Sequence, residues 1–270
     1  MKKIILILTG AVLMMTACKK EEIVEPTVPV ENPAVKFLFK QYYSGAEVTN
    51  ADFNTIKYTN SVGNNHSITK LQYLVSDITL HKVGGGEVNL GGYNFIDLAD
   101  PNSRYHTPST TIPEGKYTGV SITFGFSDEN NTTGAYPDLN AASWAWPMMI
   151  GGGYHFMKFE GKFIDNAGAT KGFAYHMGTA SKVVLGGREA ESNYFRVQLW
   201  DLSGSGFEIK NSEDVEIEIN MNLEEWFANP YPWNLNHWGS MLMPNYNAQK
   251  EMNKNGKTVF SLGNVNIKSK

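Results

Sequence analysis

The chain has 270 residues, a formal net charge of −4 at pH 7 and a single cysteine. Domains built only from strands routinely reach roughly 200–250 residues, so this length suits one all-β domain. The acidic balance excludes a typical nucleic-acid-binding protein, which needs a basic surface to meet phosphates. One cysteine excludes an internal disulfide and a cysteine-based zinc site.

The N-terminus has the pattern of a secretion signal. Lys2 and Lys3 precede an apolar stretch at 4–15, which is shorter than the roughly 20 residues that span a bilayer. The sequence MTAC at 15–18 resembles a bacterial lipobox. We therefore expect residues 1–17 to be a lipoprotein signal peptide and Cys18 to be lipidated. The alternative is an ordinary secretion signal followed by an unrelated cysteine.

Residues 18–33 are predicted to be a lipidated flexible tether. The sequence KKEE at 19–22 is followed by Pro26, Pro29 and Pro33 in a polar run, which is typical of a semi-rigid spacer. The basic and then acidic start resembles the surface-export signal of Bacteroidota lipoproteins. We expect a bacterial outer membrane lipoprotein, periplasmic or surface-exposed, that contacts the membrane through its lipid anchor.

Residues 34–270 are dominated by alternation of apolar and polar residues, the period of a strand. The pattern predicts strands at 35–42, 68–80, 117–126, 154–163, 173–176, 194–200, 215–221 and 257–267. Glycine-rich turns separate them, among them Gly91-Gly92. Helix is predicted only at 223–227 and at 248–255, the latter ending at Gly256. The predicted fold is all-β: a single antiparallel β-sandwich with a few short helical turns, under a fifth helix.

The strand at 68–80 changes phase near its middle. Leu71, Tyr73 and Val75 share one parity, whereas Ile78 and Leu80 have the other. We expect a bulge or bend at Ser76-Asp77.

The catalytic motifs of common enzyme classes are missing from the sequence. It contains no G-x-S-x-G, no H-E-x-x-H and no P-loop, and its glycine triplets lack the strand-to-helix setting of phosphate sites. We therefore expect a protein that is not an enzyme.

Histidines are the best candidates for a site. His155 and His176 lie on two successive predicted strands. If the numbers of the residues paired across this hairpin add up to 331 or 333, an odd pairing sum, both side chains lie on one face with Cβ atoms roughly 5–8 Å apart. Two imidazoles at that spacing could bind one metal ion, with sulfur from Met148, Met149, Met157 or Met177 nearby. Imidazole with thioether favours copper.

His66 and His81 form a second candidate pair, on either side of the strand at 68–80. Fifteen residues of straight strand cover about 50 Å. These two histidines could share a metal only if the chain bends sharply. The residues alone therefore favour His155 and His176.

Four stretches together resemble a known family: LQYLVSDITL at 71–80, KYTGVSITFGFS at 116–127, WAWPMMIGGGYHFMKFEG at 144–161 and FAYHMG at 173–178. They resemble the MbnP-like copper-binding family of envelope β-sandwich proteins, over about residues 34–265. The resemblance implies copper bound mainly by histidines. It also implies, for some members, a tryptophan oxidised by a partner, a dihaem cytochrome c peroxidase-like protein.

The family's histidine spacing fits His66 and His81, so the resemblance and the hairpin favour different pairs. We predict the metal at His66 and His81, with His155 and His176 as the second candidate pair. The resemblance also makes Trp144, Trp146, Met148 and Met149 candidates for modified or site-lining residues. The sequence departs from the family in two ways. No tryptophan lies between the first two histidines, and the segment 147–152 is longer than expected.

These observations predict a copper-binding envelope lipoprotein for copper sequestration or delivery, with affinity that falls below about pH 6 as the histidines protonate. The first alternative is a surface glycan-binding module in which exposed tryptophans stack on sugar rings. Its candidates are Trp144, Trp146, Trp233 and Trp238. The second alternative is an adaptor without a small ligand.

Overall fold

The computed structural model describes residues 33–201 and 203–270. The predicted signal peptide at 1–17, the lipidation site Cys18 and all of the predicted tether except Pro33 lie outside the described residues. None of the helices in the described part is long and apolar enough to cross a membrane.

Strands are the main secondary structure of the described chain. In chain order they are β1 Ala34–Tyr43, β2 Ala46–Glu47, β3 Tyr58–Thr59, β4 Asn65–His66, β5 Lys70–Lys82, β6 Glu87–Asp97, β7 Tyr105–His106, β8 Gly115–Phe124, β9 Met157–Ile164, β10 Thr170–Met177, β11 Ala180–Val184, β12 Gly187–Glu191, β13 Phe195–Trp200, β14 Phe207–Ile209, β15 Glu213–Asn222 and β16 Phe260–Ser269.

Helices are few and short. The α-helices are α1 Pro137–Ala141 and α2 Tyr246–Gly256, and the 3-10 helices are Asn50–Asp52, Pro101–Arg104, Met148–Ile150 and Leu223–Phe227. Strands form 46% of the structure and helices 13%. The predicted all-β sandwich with under a fifth helix is therefore confirmed.

Two large sheets form the sandwich. The smaller one runs β16-β15-β1-β2, with β7 also paired to β1. The larger one runs β13-β8-β5-β9-β4-β3 and adds β6, β10 and β14, while β11 and β12 form a separate two-stranded ribbon. One pairing departs from the antiparallel prediction, because β1 and β15 run parallel, Phe37 lying opposite Ile217.

The predicted irregularity in β5 is confirmed. Asp77 has a positive φ of 49°, and the register of β5 shifts between Ser76 and Thr79 against β8. The residues from Lys70 to Tyr73 pair with β9, and those from Val75 onward pair with β8. β5 therefore changes its neighbour at Leu74, just before the bulge.

Two glycine predictions are wrong. Gly91 and Gly92 lie inside β6 with positive φ, not in a turn, and Gly91 lies opposite Ile78 at the β5 bulge. Gly256 is the last residue of α2 and not the residue after it. A Cβ there would lie 2.4 Å from Phe195, so close packing, and not a left-handed turn, explains this glycine.

The larger sheet is covered by apolar side chains on both faces. Tyr73 and Val75 point into the main core between the two sheets, whereas Leu74 points to the opposite face, as alternation in a strand requires. There Leu74 packs in a second cluster with Phe126, Leu139, Trp144 and Tyr154. The loop that holds Trp144 therefore covers the outer face of the larger sheet.

Candidate metal site

The segment from Trp144 to His155 forms a compact cover that folds back on itself. Ala145 and Tyr154 form an isolated antiparallel bridge. The amide of Trp146 donates to the carbonyl of Gly153, and the amide of His155 donates to the carbonyl of Trp144, both at 2.9 Å. These bonds fix the start of β9 beneath the two tryptophans.

The glycine triplet makes this fold-back possible. Gly151, Gly152 and Gly153 have φ values of 118°, 66° and 83°, which L-residues with a side chain rarely adopt. A Cβ on Gly153 would also lie 2.4 Å from Oδ1 of Asn131. The three glycines therefore allow the sharp turn that leads into Tyr154.

His155 and His176 contact each other, although the predicted register is wrong. Met157 lies opposite Met177 and Lys158 opposite His176, which gives an even pairing sum. Nevertheless the two imidazole rings lie 5.5 Å apart, centroid to centroid, at an interplanar angle of 81°. The reason is an irregularity just before β9, where the amide of Phe156 donates to the carbonyl of Met177. It turns His155 to the outer face, where His176 lies.

Each imidazole is oriented by an oxygen that can only accept a hydrogen bond. Nδ1 of His155 lies 3.0 Å from the carbonyl oxygen of Trp144, so Nδ1 carries the proton. Nε2 of His176 lies 2.8 Å from Oε1 of Glu160, so this nitrogen donates to the carboxylate. In the neutral rings, Nε2 of His155 and Nδ1 of His176 then carry lone pairs. Metal-binding histidines are usually held in this way.

The charges favour these protonation states. Burial lowers the pKa of His155 to about 3, and the positive charge of Lys158 contributes to the same shift. The hydrogen bond from His176 lowers the pKa of Glu160. At neutral pH His155 is therefore an uncharged imidazole and Glu160 an ionised carboxylate, as a metal ligand and its orienting partner require.

The two tryptophans pack directly on this pair. Trp144 and Trp146 are buried, with ring centroids 5.4 Å and 4.9 Å from that of His155. Nε1 of Trp146 donates to the carbonyl of Ile150, whereas Nε1 of Trp144 is buried without a hydrogen-bond partner among the described residues. The indoles therefore shield one side of the imidazole pair from water.

The methionines divide into two groups. Met148 and Met149 are 71% and 82% exposed on their 3-10 helix. Met157 and Met177 are completely buried in the main core, on the other face of the sheet from the two histidines. Met157 and Met177, which the sequence suggested as nearby sulfur, are therefore not placed to reach a metal on the outer face.

His66 lies in the main core. Its ring is completely buried among aromatic rings, those of Tyr43, Tyr58, Phe173 and Phe227. Nδ1 lies 3.3 Å from the carbonyl of Asn64, and Nε2 is buried without a partner. Burial lowers the pKa of His66 to about 4.

His81 lies at the far end of β5. Its Nε2 lies 2.5 Å from Oγ of Ser121 and its Nδ1 lies 3.2 Å from Oε1 of Glu87. Both ring nitrogens therefore have partners. His66 pairs with Phe163 beyond the opposite end of β5, so the structure does not bring His66 and His81 together. That they bind copper stays a prediction.

The spacing of the two imidazole rings is compatible with both binding one metal ion. In the described residues, no three side chains of the His, Cys, Asp and Glu types converge on a point. Two imidazoles that bind one ion at roughly 2 Å can have ring centroids up to roughly 6 Å apart, and this pair lies within that limit. Imidazole nitrogen is a ligand that copper accepts.

Three of the four tryptophans proposed to stack on sugars are not exposed. Trp144, Trp146 and Trp233 are 0–1% exposed, and Trp238 stacks on Trp233. A surface groove of about 760 Å³ lies along β1, β15 and β16, but its lining contains no aromatic residue. The predicted platform of exposed indoles is wrong, because these rings fill the core and the outer cluster.

Sequence reasoning missed two neighbours of the histidines, Lys158 and Glu160. Both lie on the outer face of β9, where Lys158 is opposite His176 and Glu160 opposite Ala174. The alternation in MKFEG at 157–161 was the available signal. Only the true register of the hairpin shows that these charges share a face with His176.

Comparison with known proteins identifies the family. None of the curated proteins matches the chain. Among solved structures, the chain is similar to MbnP from Methylosinus trichosporium, with 17% identity, a TM-score of 0.49, and coverage of 86% of this chain and 99% of that one. The family model of MbnP matches residues 32–244. This match covers most of the sequence, so the chain belongs to the MbnP family.

Proposed function

We propose that this protein binds copper between His155 and His176 and serves to sequester or deliver it, without catalysing a reaction. The observation that carries the proposal is the arrangement of the two rings. Their centroids are 5.5 Å apart, and each ring donates a hydrogen bond from one nitrogen to a fixed oxygen, which leaves its other nitrogen free for a metal. Such outer partners hold ligand rings in place in metal sites.

The surroundings of the pair shield it from water on one side and leave it accessible on the other, which would allow an ion to be bound and released. Trp144 and Trp146 exclude water from one side of His155, while His176 and Glu160 are only partly buried. One side of the site is therefore accessible. A neutral imidazole needs no proton removed before it binds metal, so His155 is ready to bind at neutral pH.

The test is copper binding by a variant with His155→Gln and His176→Gln. Glutamine keeps a polar side chain but removes the imidazole nitrogens. We expect the wild-type domain to bind about one copper ion and the double variant to lose high-affinity binding. The measurement is anaerobic titration of Cu(I) against a competing chelator, with metal analysis of the isolated protein.

The exposed His237 offers a matched control. His237→Gln should leave both stoichiometry and affinity unchanged. Thermal unfolding of each variant shows whether it is folded. A folded double variant that still binds one copper ion with wild-type affinity would overturn the proposal.

We also propose that the protein acts in the cell envelope, anchored through a lipid on Cys18. The support is the lipobox-like sequence at 15–18. Several acyl chains on one residue give firm anchoring, whereas one chain gives marginal binding. Cys18→Ser should move the protein from the membrane fraction to the soluble fraction. Retention of the variant in membranes would contradict a lipid anchor at this position.

A dihaem cytochrome c peroxidase-like protein is the proposed partner, on the strength of the family resemblance alone. Trp144 and Trp146 are the candidates for oxidation because they contact His155. Intact and peptide mass spectrometry of protein purified from its native host would show the modification. Unmodified tryptophans in protein from a host that expresses such a partner would count against it.

A further inference from the structure

Lys158 lies beside the candidate ligand His176 on the outer face of the sheet. It is directly opposite His176 in β10 and opposite Gln72 in β5. It follows His155 by three residues. The cation therefore occupies the same row of the sheet as the candidate metal site.

The ammonium group of Lys158 is held in place. Its Nζ donates to the carbonyl oxygen of Ser143 at 3.0 Å. It also lies 4.7 Å from the ring of Trp144, within the range of a cation–π interaction. Trp144 in turn packs on His155. These two contacts fix a positive charge next to the site.

This charge has no close counter-ion. Among the described residues, no carboxylate lies within 4 Å of Nζ of Lys158, and Glu160, two residues along β9, is already paired. Glu160 interacts with His176 at 2.8 Å and with Lys70 at 3.4 Å. The carboxylate of Asp97, which lies opposite Gln72 in the same row, accepts from Nε2 of Gln72 at 2.6 Å, so Lys158 keeps an unpaired charge beside the histidine pair.

We propose that Lys158 makes the His155–His176 site selective for monovalent over divalent metal ions. The inference rests on the proposed copper site. A fixed positive charge repels an ion in proportion to the charge of that ion, so a divalent ion is penalised twice as much as a monovalent one. At roughly 6 Å and an effective dielectric constant of about 40, the penalty is about tenfold in affinity per unit of ion charge. Cu(I) is thereby favoured over Cu(II).

The experiment compares Lys158→Met with the wild-type protein. Methionine has a similar length and no charge. We expect the affinity for Cu(I), and for Ag(I) as a redox-silent probe, to rise about tenfold and that for Cu(II) about a hundredfold. This tenfold change in the ratio lowers the copper reduction potential by about 59 mV for a one-electron couple. Chelator competition gives the affinities, and an anaerobic redox titration gives the potential independently.

Two further variants separate the charge from other effects. Lys158→Arg keeps the charge and should keep the wild-type ratio of Cu(I) to Cu(II) affinities. Lys162→Met removes an exposed lysine on the same face of β9, about 13 Å along the strand, which is beyond the screening length of about 8 Å at physiological salt. It should change the ratio little.

A folded Lys158→Met protein whose affinities for the two ions change equally, or not at all, would overturn the inference. So would an equal change of the ratio in Lys162→Met. A wild-type protein that binds neither ion would overturn the proposed site and this inference with it. The first two results leave copper binding intact and are distinguishable from the third.

Discussion

His66 and the pair His155–His176 lie on opposite faces of the same sheet. His66 is surrounded by aromatic rings in the main core, and its Nε2 has no partner among the described residues. His155 and His176 lie on the outer face, 5.5 Å apart, each oriented by a backbone or carboxylate oxygen. Both regions bury an imidazole, but only the outer one places a second imidazole within reach.

The difference shows which features of a histidine point to a metal site. Burial lowers the pKa of both His66 and His155, so a shifted pKa does not separate them. What separates them is a second imidazole nearby and a ring held by an outer hydrogen-bond partner. We therefore expect His66 to act as a packing residue and the outer pair to bind the metal.

Removing the ring of His66 should have the largest effect, on stability and not on copper. His66→Ala leaves a cavity among four aromatic rings, which for an aromatic-to-alanine change costs about 3–5 kcal/mol. His66→Phe replaces the imidazole with a somewhat larger aromatic ring and should cost less than the cavity left by alanine. Urea unfolding gives the free energies, and copper titration should show unchanged stoichiometry in both folded variants. Loss of copper from folded His66→Phe would move the site to the inner face.

The second largest expected effect is the loss of stability in acid that His66 causes. Its pKa is about 4 in the folded protein and about 6.5 in the unfolded chain, so the unfolded chain binds the proton first as the pH falls. The stabilisation is complete above pH 6.5 and is lost between pH 6.5 and 4, on the order of 3 kcal/mol. His66→Phe removes this contribution.

The measurement is the free energy of unfolding of both proteins between pH 7 and pH 4. We expect the wild-type curve to fall more steeply than the variant curve, by about 3 kcal/mol over the range. His155 contributes in the same direction to both proteins, so it does not affect the difference. Parallel curves would show that His66 is not buried as an uncharged ring.

The sequence predicted the sandwich well because strand alternation is a local signal. The bulge at Ser76-Asp77 was also a local signal, and it is confirmed. The register of the β9–β10 hairpin was wrong. The outward orientation of His155 could not be predicted from a local pattern, because it depends on the long-range bond from the amide of Phe156 to the carbonyl of Met177.

A local sequence pattern could not predict the burial of the tryptophans either. Trp144 is covered by Phe95 and by the outer cluster, and these contacts join segments far apart in the chain. The same holds for Glu160, whose role became visible only once the sheet placed it beside His176. Candidate residues could be named from sequence, but their grouping into one site could not.

Glu160→Gln should weaken copper binding by the outer histidine pair. The carboxylate orients His176 through Nε2, and loss of such an outer partner typically costs 10–100-fold in metal affinity. We expect a loss in that range with about one copper ion still bound. The exposed Glu189 provides the control, since Glu189→Gln removes the same charge away from the histidines. Equal affinities of the two variants would mean that Glu160 does not orient a ligand.

The smallest predicted effect is the number of protons released when copper binds. At pH 5 two imidazoles with an ordinary pKa of about 6.5 would both be protonated, and metal binding would displace nearly two protons. His155 has a pKa of about 3 in the folded protein, so it is already neutral at that pH. The pair should therefore release at most one proton per Cu(I), and affinity should fall less steeply below pH 6 than two ordinary histidines would require.

Calorimetric titrations in buffers of different ionisation enthalpy measure the number of protons released. A release approaching two protons at pH 5 would show that His155 is not held neutral by burial and by Lys158, and would make the outer pair resemble exposed histidines.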